Sequence, residues 1–235
     1  MTHAKGPLPG EAGARYGGLP EWNSTVRWVA AAGLCLLGAC SSGSLASEPL
    51  PQPKYGIHAV PLSVDHSYLR HPAHPAPDYW ALSSFYVPQL NPYDCSVASV
   101  AAVVNALTRA NRRLSGSDRN ATAASLLASV KVVRWAERVQ QGGVDGLVGL
   151  TLEQLAEVLM EALRQQGIPD PRIETVRVTV DDQATREKWR TALAANETSA
   201  DDMILIHFTQ DTLTGSTGGP YPHISPIAAF DEDTG

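Results

Sequence analysis

The stretch Asp94-Cys95-Ser96-Val97-Ala98-Ser99-Val100-Ala101-Ala102-Val103-Val104-Asn105-Ala106-Leu107 carries no charge after its first residue. Val97, Val100, Val103, Val104 and Leu107, interleaved with alanines, predict a helix over 96–107 buried on nearly every side. Asp94 is placed to cap that helix. Cys95 stands at its N-terminal end, where unpaired amides and the positive end of the helix dipole stabilise a thiolate. A cysteine ahead of an apolar helix is, by itself, more often a small buried hydrophobe than a nucleophile. Two other positions strengthen the chemical reading. Gln89, six positions upstream, is spaced so that a side-chain amide on the preceding loop can donate to the oxygen of a carbonyl attacked at Cys95. His223 opens an apolar stretch far downstream, behind Gly218 and Gly219, and is the candidate base for the same thiol.

Elements of both kinds lie between and beyond these residues. Thr151-Leu152-Glu153-Gln154 has the spacing of a capping box, and Leu155, Leu159 and Leu163 continue it as a helix that ends before Gly167. Val176, Val178 and Val180 alternate with Arg177 and Thr179, which predicts a strand over 172–180; a helix is expected over 185–195. Residues 203–208 read as a buried strand, 223–230 as another, and 231–235 as a hairpin turn. Helices first and strands later make the fold class α+β.

The N-terminal third has a different composition. Residues 28–39 are the only long apolar run, well short of the roughly 20 that span a bilayer as a helix. This run reads as the core of a signal peptide. It ends Leu37-Gly38-Ala39-Cys40-Ser41-Ser42, which resembles a bacterial lipobox with Cys40 as the lipidated residue. Initiation at Val26 would give a short leader, Val26-Arg27-Trp28, of the ordinary kind. Seven prolines between residues 49 and 77 predict an extended tether over 41–78. Four of the seven histidines, His58, His66, His71 and His74, lie in that tether; a solvated segment is preferred there to a metal clip at His71 and His74. The expected organisation is a leader over 1–39, a lipidated cysteine and linker over 40–78, and a domain over 79–235. This places the protein at the cell envelope, anchored by lipid to the membrane. Of the three cysteines, two belong to export and Cys95 alone remains for chemistry. A net charge of −6 argues against nucleic acid as a partner.

Gln89-Leu90-Asn91-Pro92-Tyr93-Asp94-Cys95-Ser96-Val97-Ala98-Ser99, continued to Asn105-Ala106-Leu107, resembles the nucleophile segment of the phytochelatin synthases. Gly218-Gly219-Pro220-Tyr221-Pro222-His223-Ile224-Ser225-Pro226 is similar to that family's glycine-rich loop, histidine and Ser-Pro strand, and Thr151-Leu152-Glu153-Gln154-Leu155-Ala156 also fits. The resemblance covers roughly 79–235 and implies a papain-like cysteine fold, with a buried nucleophile helix packed on an antiparallel sheet. The implied chemistry is glutathione γ-glutamylcysteinyl transfer. Cys95 attacks the cysteinyl-glycine amide, glycine leaves, and the thioester passes to glutathione or water, with His223 as acid and base and Gln89 at the oxyanion. No tightly bound cofactor is implied. Heavy-metal ions such as cadmium and zinc enter as metal–glutathione thiolate substrate, and the domain shows no zinc-type site. Glutathione and the membrane are the implied partners, and a homodimer is left open. The chain departs from the family at Ser96, where glycine is usual, and at His207, where asparagine is usual. The family's triad acid lies roughly eighteen residues beyond the histidine, past Gly235, so the domain is expected to be incomplete at its C-terminus. Asp231 is the candidate substitute, although its ordinary role is that of a turn residue.

Two other readings compete. Gln89 with Asp94-Cys95 also resembles the peptidases that cleave bacteriocin leaders. A lipid-anchored, non-catalytic protein with Cys95 packed in its core is the other.

Overall fold

In chain order the computed structural model, which describes residue 56 and residues 58–115, 119–217 and 219–233, runs α1 (Ser67–Arg70), α2 (Pro77–Ser83), α3 (Cys95–Ser115), α4 (Ala123–Ser129), a 3-10 turn (Val132–Arg134), α5 (Trp135–Arg138), α6 (Leu152–Gln165), α7 (Gln183–Asn196), β1 (Leu205–Thr209), α8 (Gln210–Thr214) and β2 (Pro222–Pro226). The α+β class stands. The expectations for the leader, Cys35 and Cys40 concern residues outside those described.

The uncharged helix forms and is longer than its pattern, beginning at Cys95 itself. Val97, Val100, Ala101, Val103, Val104 and Ala106 on α3 pack with Leu155, Val158, Leu159 and Ala162 of α6 and with Trp135 in one core. Each such large side chain contributes on the order of 1.5–3 kcal/mol when removed from water. The capping box starts α6 as expected: Gln154 N–H donates to Thr151 Oγ1 at 3.2 Å, and Thr151 N–H donates to Gln154 Oε1 at 3.0 Å. A second box, which sequence reading missed, joins Thr122 and Ser125 at the start of α4. Asp182 caps α7 through Thr185 N–H at 2.8 Å.

β1 and β2 pair antiparallel, with Phe208 opposite His223 and His207 opposite Ile224. Both strands differ from expectation. β1 is half-buried rather than buried, and β2 ends at Pro226, which has no N–H to give to a ladder. One further bond, from Ile227 N–H to the Ile204 carbonyl at 2.9 Å, extends the pairing. The predicted strand over 172–180 is coil. Alternation describes side chains, whereas a strand also needs a neighbouring backbone, and none pairs with this segment among the described residues. Val178 and Val180 are half exposed, and Arg177 is held instead by Glu153 at 2.6 Å.

Gly56, Tyr68 and Asp78, in or at the end of the supposed tether, contact the rest of the domain. Gly56, at φ +89°, lies so close to the Thr214–Ser216 backbone that a Cβ would sit 2.3 Å from Thr214 O. Tyr68 on α1 donates its hydroxyl to the Phe230 carbonyl at 2.7 Å. His74 stacks on Tyr68 with centroids 4.2 Å apart and meets His71 at a tilt of 37°, with centroids 4.6 Å apart. The prolines do not prevent this. Pro77 occupies the first turn of α2, where a missing N–H costs nothing.

That packing buries an acid. Asp78 on α2 is fully buried and its carboxyl accepts from the Asn196 side-chain amide of α7. Among the described residues Asp78 Oδ1 and Asn196 Oδ1 have no hydrogen-bond partner, so one proton on Asp78 supplies the donor this pair lacks. Burial, first, and the charges of Asp202 and Glu197 push the Asp78 carboxyl up to about 7. Its unfolded value is about 4, so folding takes up a proton between those limits. The contribution is fully present below about pH 4 and is lost as pH rises through 7, at about 2–4 kcal/mol in all. Histidines held below their ordinary range, His207 and His223, run the other way, so the test is a difference. In Asp78→Asn two amides can reciprocate. Its melting temperature relative to wild type is expected to rise between pH 5 and pH 8 by roughly 5–10 °C; an offset independent of pH would refute the assignment.

Candidate active site

α3 and β2 position the two candidate side chains. Cys95 is the first residue of α3 and is half-buried. His223 is the second residue of β2. Two serines in the apolar run turn out to be joints. Ser99 Oγ donates to the Ile224 carbonyl at 2.9 Å, tying the nucleophile helix to the histidine strand in a buried contact. Ser96 Oγ accepts from Trp135 Nε1 at 3.0 Å, also buried. The departure from glycine at 96 is therefore matched by an indole that needs an acceptor. Sequence reading missed both roles; small hydroxyl residues within a helix buried on all sides were the available signal.

Gln89, Cys95 and His223 line one cleft of about 590 Å³, walled by Tyr79 and Leu82 of α2, the loop at Tyr86 and Val87, and β2 from His223 to Pro226. No Lys, Arg, Asp or Glu is among the described residues that line it. Burial in this neutral cleft governs both titrations. It pushes the Cys95 thiol up, with the Asp94 charge adding to it, against the backbone amides of Ile224, Ser96 and Cys95, which favour the thiolate. Burial wins, so the expectation of a helix-stabilised thiolate is corrected: burial holds Cys95 toward the thiol. Burial alone holds the His223 imidazole below its ordinary range, leaving it neutral and able to accept a proton. Among the described residues no hydrogen bond joins the two; catalytic contacts of this kind commonly tighten only with substrate.

The ring of His223 meets Phe208 edge-on, with centroids 5.6 Å apart and planes at 88°. Asp231 does not line the cleft. Its Oδ1 accepts Asp233 N–H at 3.0 Å, the role of a turn residue, and its charge acts on Tyr68. Asp94 also departs from expectation. Its carboxylate accepts Leu90 N–H at 2.9 Å and Asn91 N–H at 3.4 Å in the preceding loop rather than capping α3. Among the described residues no three His, Cys, Asp or Glu stand together as a metal site.

A cysteine at the start of a buried helix, a histidine on the strand latched to that helix, and a shared neutral cleft make up a candidate cysteine site in an α+β fold of papain-like layout. The family model for phytochelatin synthase matches residues 66–235, and the chain belongs to the phytochelatin synthase family. Its members are acyltransferases, and glutathione γ-glutamylcysteinyl transfer is their function in general. The match begins ahead of α1, in agreement with the packing of residues 66–78 onto the domain. No curated protein matches the chain.

Proposed function

We propose that this protein is a glutathione γ-glutamylcysteinyltransferase acting through a thioester on Cys95. The observation that carries the reading is the shared cleft of Cys95, His223 and Gln89 behind the Ser99–Ile224 latch. Substrate seated with its cysteinyl-glycine carbonyl over Cys95 Sγ displaces water from a neutral thiol and a neutral imidazole. His223 takes the thiol proton as sulfur adds to the carbonyl carbon. The Gln89 amide donates to the oxygen as it becomes negative. When the C–N bond breaks, His223 returns the proton to the departing amine; glycine leaves and the γ-glutamylcysteinyl group stays on sulfur. The amine of a second glutathione, or water, then attacks the thioester and frees Cys95. Metal–glutathione thiolates serve as substrate in this scheme, and the enzyme works at the cell envelope, anchored through Cys40.

Incubation of the protein with glutathione is expected to yield free glycine together with either γ-glutamylcysteine or its longer oligomers, measured by mass spectrometry. Cleavage of a double-glycine leader peptide with no glycine released from glutathione would overturn the reading in favour of a leader peptidase.

A further inference from the structure

Asp94 is nine-tenths buried, and its carboxylate faces away from its own helix. Both oxygens are engaged by the loop, through Leu90 N–H at 2.9 Å and Asn91 N–H at 3.4 Å. Asn91 in turn accepts Tyr93 N–H on its Oδ1 at 2.7 Å. The loop between Gln89 and Cys95 is thus closed upon itself by two side chains. The Asp94 carbonyl meanwhile accepts Val97 and Ala98 N–H at 2.9 and 3.1 Å and starts α3. One residue therefore ties the backbone that leads to Gln89 to the backbone that leads to the nucleophile. Its orientation has a second consequence. An N-cap carboxylate would occupy the first amides of α3, and here the carboxylate is engaged by the loop at 90–91 instead.

We propose that Asp94 is a positioning residue that holds Gln89 in register with Cys95 and keeps its own carboxylate off the first amides of α3. The first half rests on the reading of Gln89 as the oxyanion donor in the reaction above. Loss of one oxyanion donor lowers turnover by about 10²–10³-fold, and a donor left on an unheld loop retains part of that. The groups facing the thiol are the Ile224, Ser96 and Cys95 amides and the Asp94 charge, with His223 across the cleft.

The test compares Asp94→Ala, Asp94→Asn and Gln89→Ala. Two measurements need no turnover. Hydrogen exchange in a peptide spanning residues 89–93 is expected to quicken at least about tenfold in Asp94→Ala while α6 peptides stay as in wild type. Alkylation of Cys95, followed on its own tryptic peptide, is expected to reach its midpoint at lower pH in Asp94→Asn, which removes a like charge and keeps an acceptor. For glycine release, Asp94→Ala is expected to lower kcat about tenfold to a hundredfold with KM within about twofold, and to add nothing to Gln89→Ala in the double variant. Unchanged loop exchange, or full additivity with Gln89→Ala, overturns the proposal. If wild type releases no glycine, the proposed reaction fails, and the exchange and alkylation results decide the role of Asp94 alone. Should Asp94→Ala fail to fold, Asp94→Leu, which likewise offers the loop amides no acceptor, carries the same comparisons.

Discussion

Cys95→Ala is expected to abolish glycine release from glutathione, and His223→Ala to lower it by at least about 10³-fold, on the scale seen when a nucleophile or base is removed from a triad. The two variants differ in what remains. Without Cys95 there is no sulfur to carry an acyl group, so neither transfer nor hydrolysis survives. Without His223 the thiol persists with no neighbour to take its proton, and burial keeps it protonated. The pH profile follows from the two titrations. Cys95 is pushed above the ordinary thiol range and His223 is held below the ordinary imidazole range, burial leading in both. Glycine release by wild type therefore stays level through neutral pH and falls only as His223 gains a proton, below the ordinary histidine value of about 6.5. In His223→Ala, release and alkylation of Cys95 both rise with pH until the thiol ionises unaided, above about 8.5. An acid limb centred at or above 6.5, or rapid alkylation of the His223→Ala variant at pH 7, would contradict the neutral pair.

Asn105→Ala is expected to destabilise the domain by about 3–5 kcal/mol, read as a lower denaturant midpoint with an unchanged slope. Asn105 is buried in the middle of α3 and its side chain behaves as a piece of backbone. Its amide donates to the Ala121 carbonyl at 2.8 Å, and its oxygen accepts Ala121 N–H at 2.8 Å. The buried Ala121 has no strand to pair with, so the asparagine satisfies both of its main-chain groups. Alanine would strand a donor and an acceptor in the core, at about 1–3 kcal/mol each. Asn105→Asp is expected to do no better, because a carboxylate has no N–H for the carbonyl. A loss under about 1 kcal/mol in Asn105→Ala would show that water or a shifted loop replaces the bonds.

The uncharged run at 96–107 and the capping box at Thr151 were legible because they are local. Periodicity follows from which side of a helix is buried, and a cap from residues three positions apart. The coil at 172–180 shows the limit of that reasoning. Its valines alternate as in a strand, yet a ladder needs a partner backbone, and no local pattern reports one. Around Tyr68 and Asp78 the tether reading met the complementary limit. Proline restricts local conformation but does not decide whether a segment docks, and Tyr68 and Asp78 dock this one through Phe230 and Asn196, more than a hundred positions away in the chain.

For the candidate site, residue types alone pointed to the three residues that share the cleft: a cysteine before an uncharged helix, a glutamine six positions ahead of it and a histidine behind glycines. They also carried the resemblance to the family that the match over residues 66–235 establishes. The protonation state of the nucleophile was decided only in three dimensions. The helix terminus favours a thiolate, but the neutral walls contributed by α2 and β2 outweigh it, because desolvation is a sum over everything that surrounds the sulfur. The partner of Asp94 was settled in the same way. Its spacing permits a cap, and the fold turns its carboxylate to the loop at 90–91, where two backbone amides meet it.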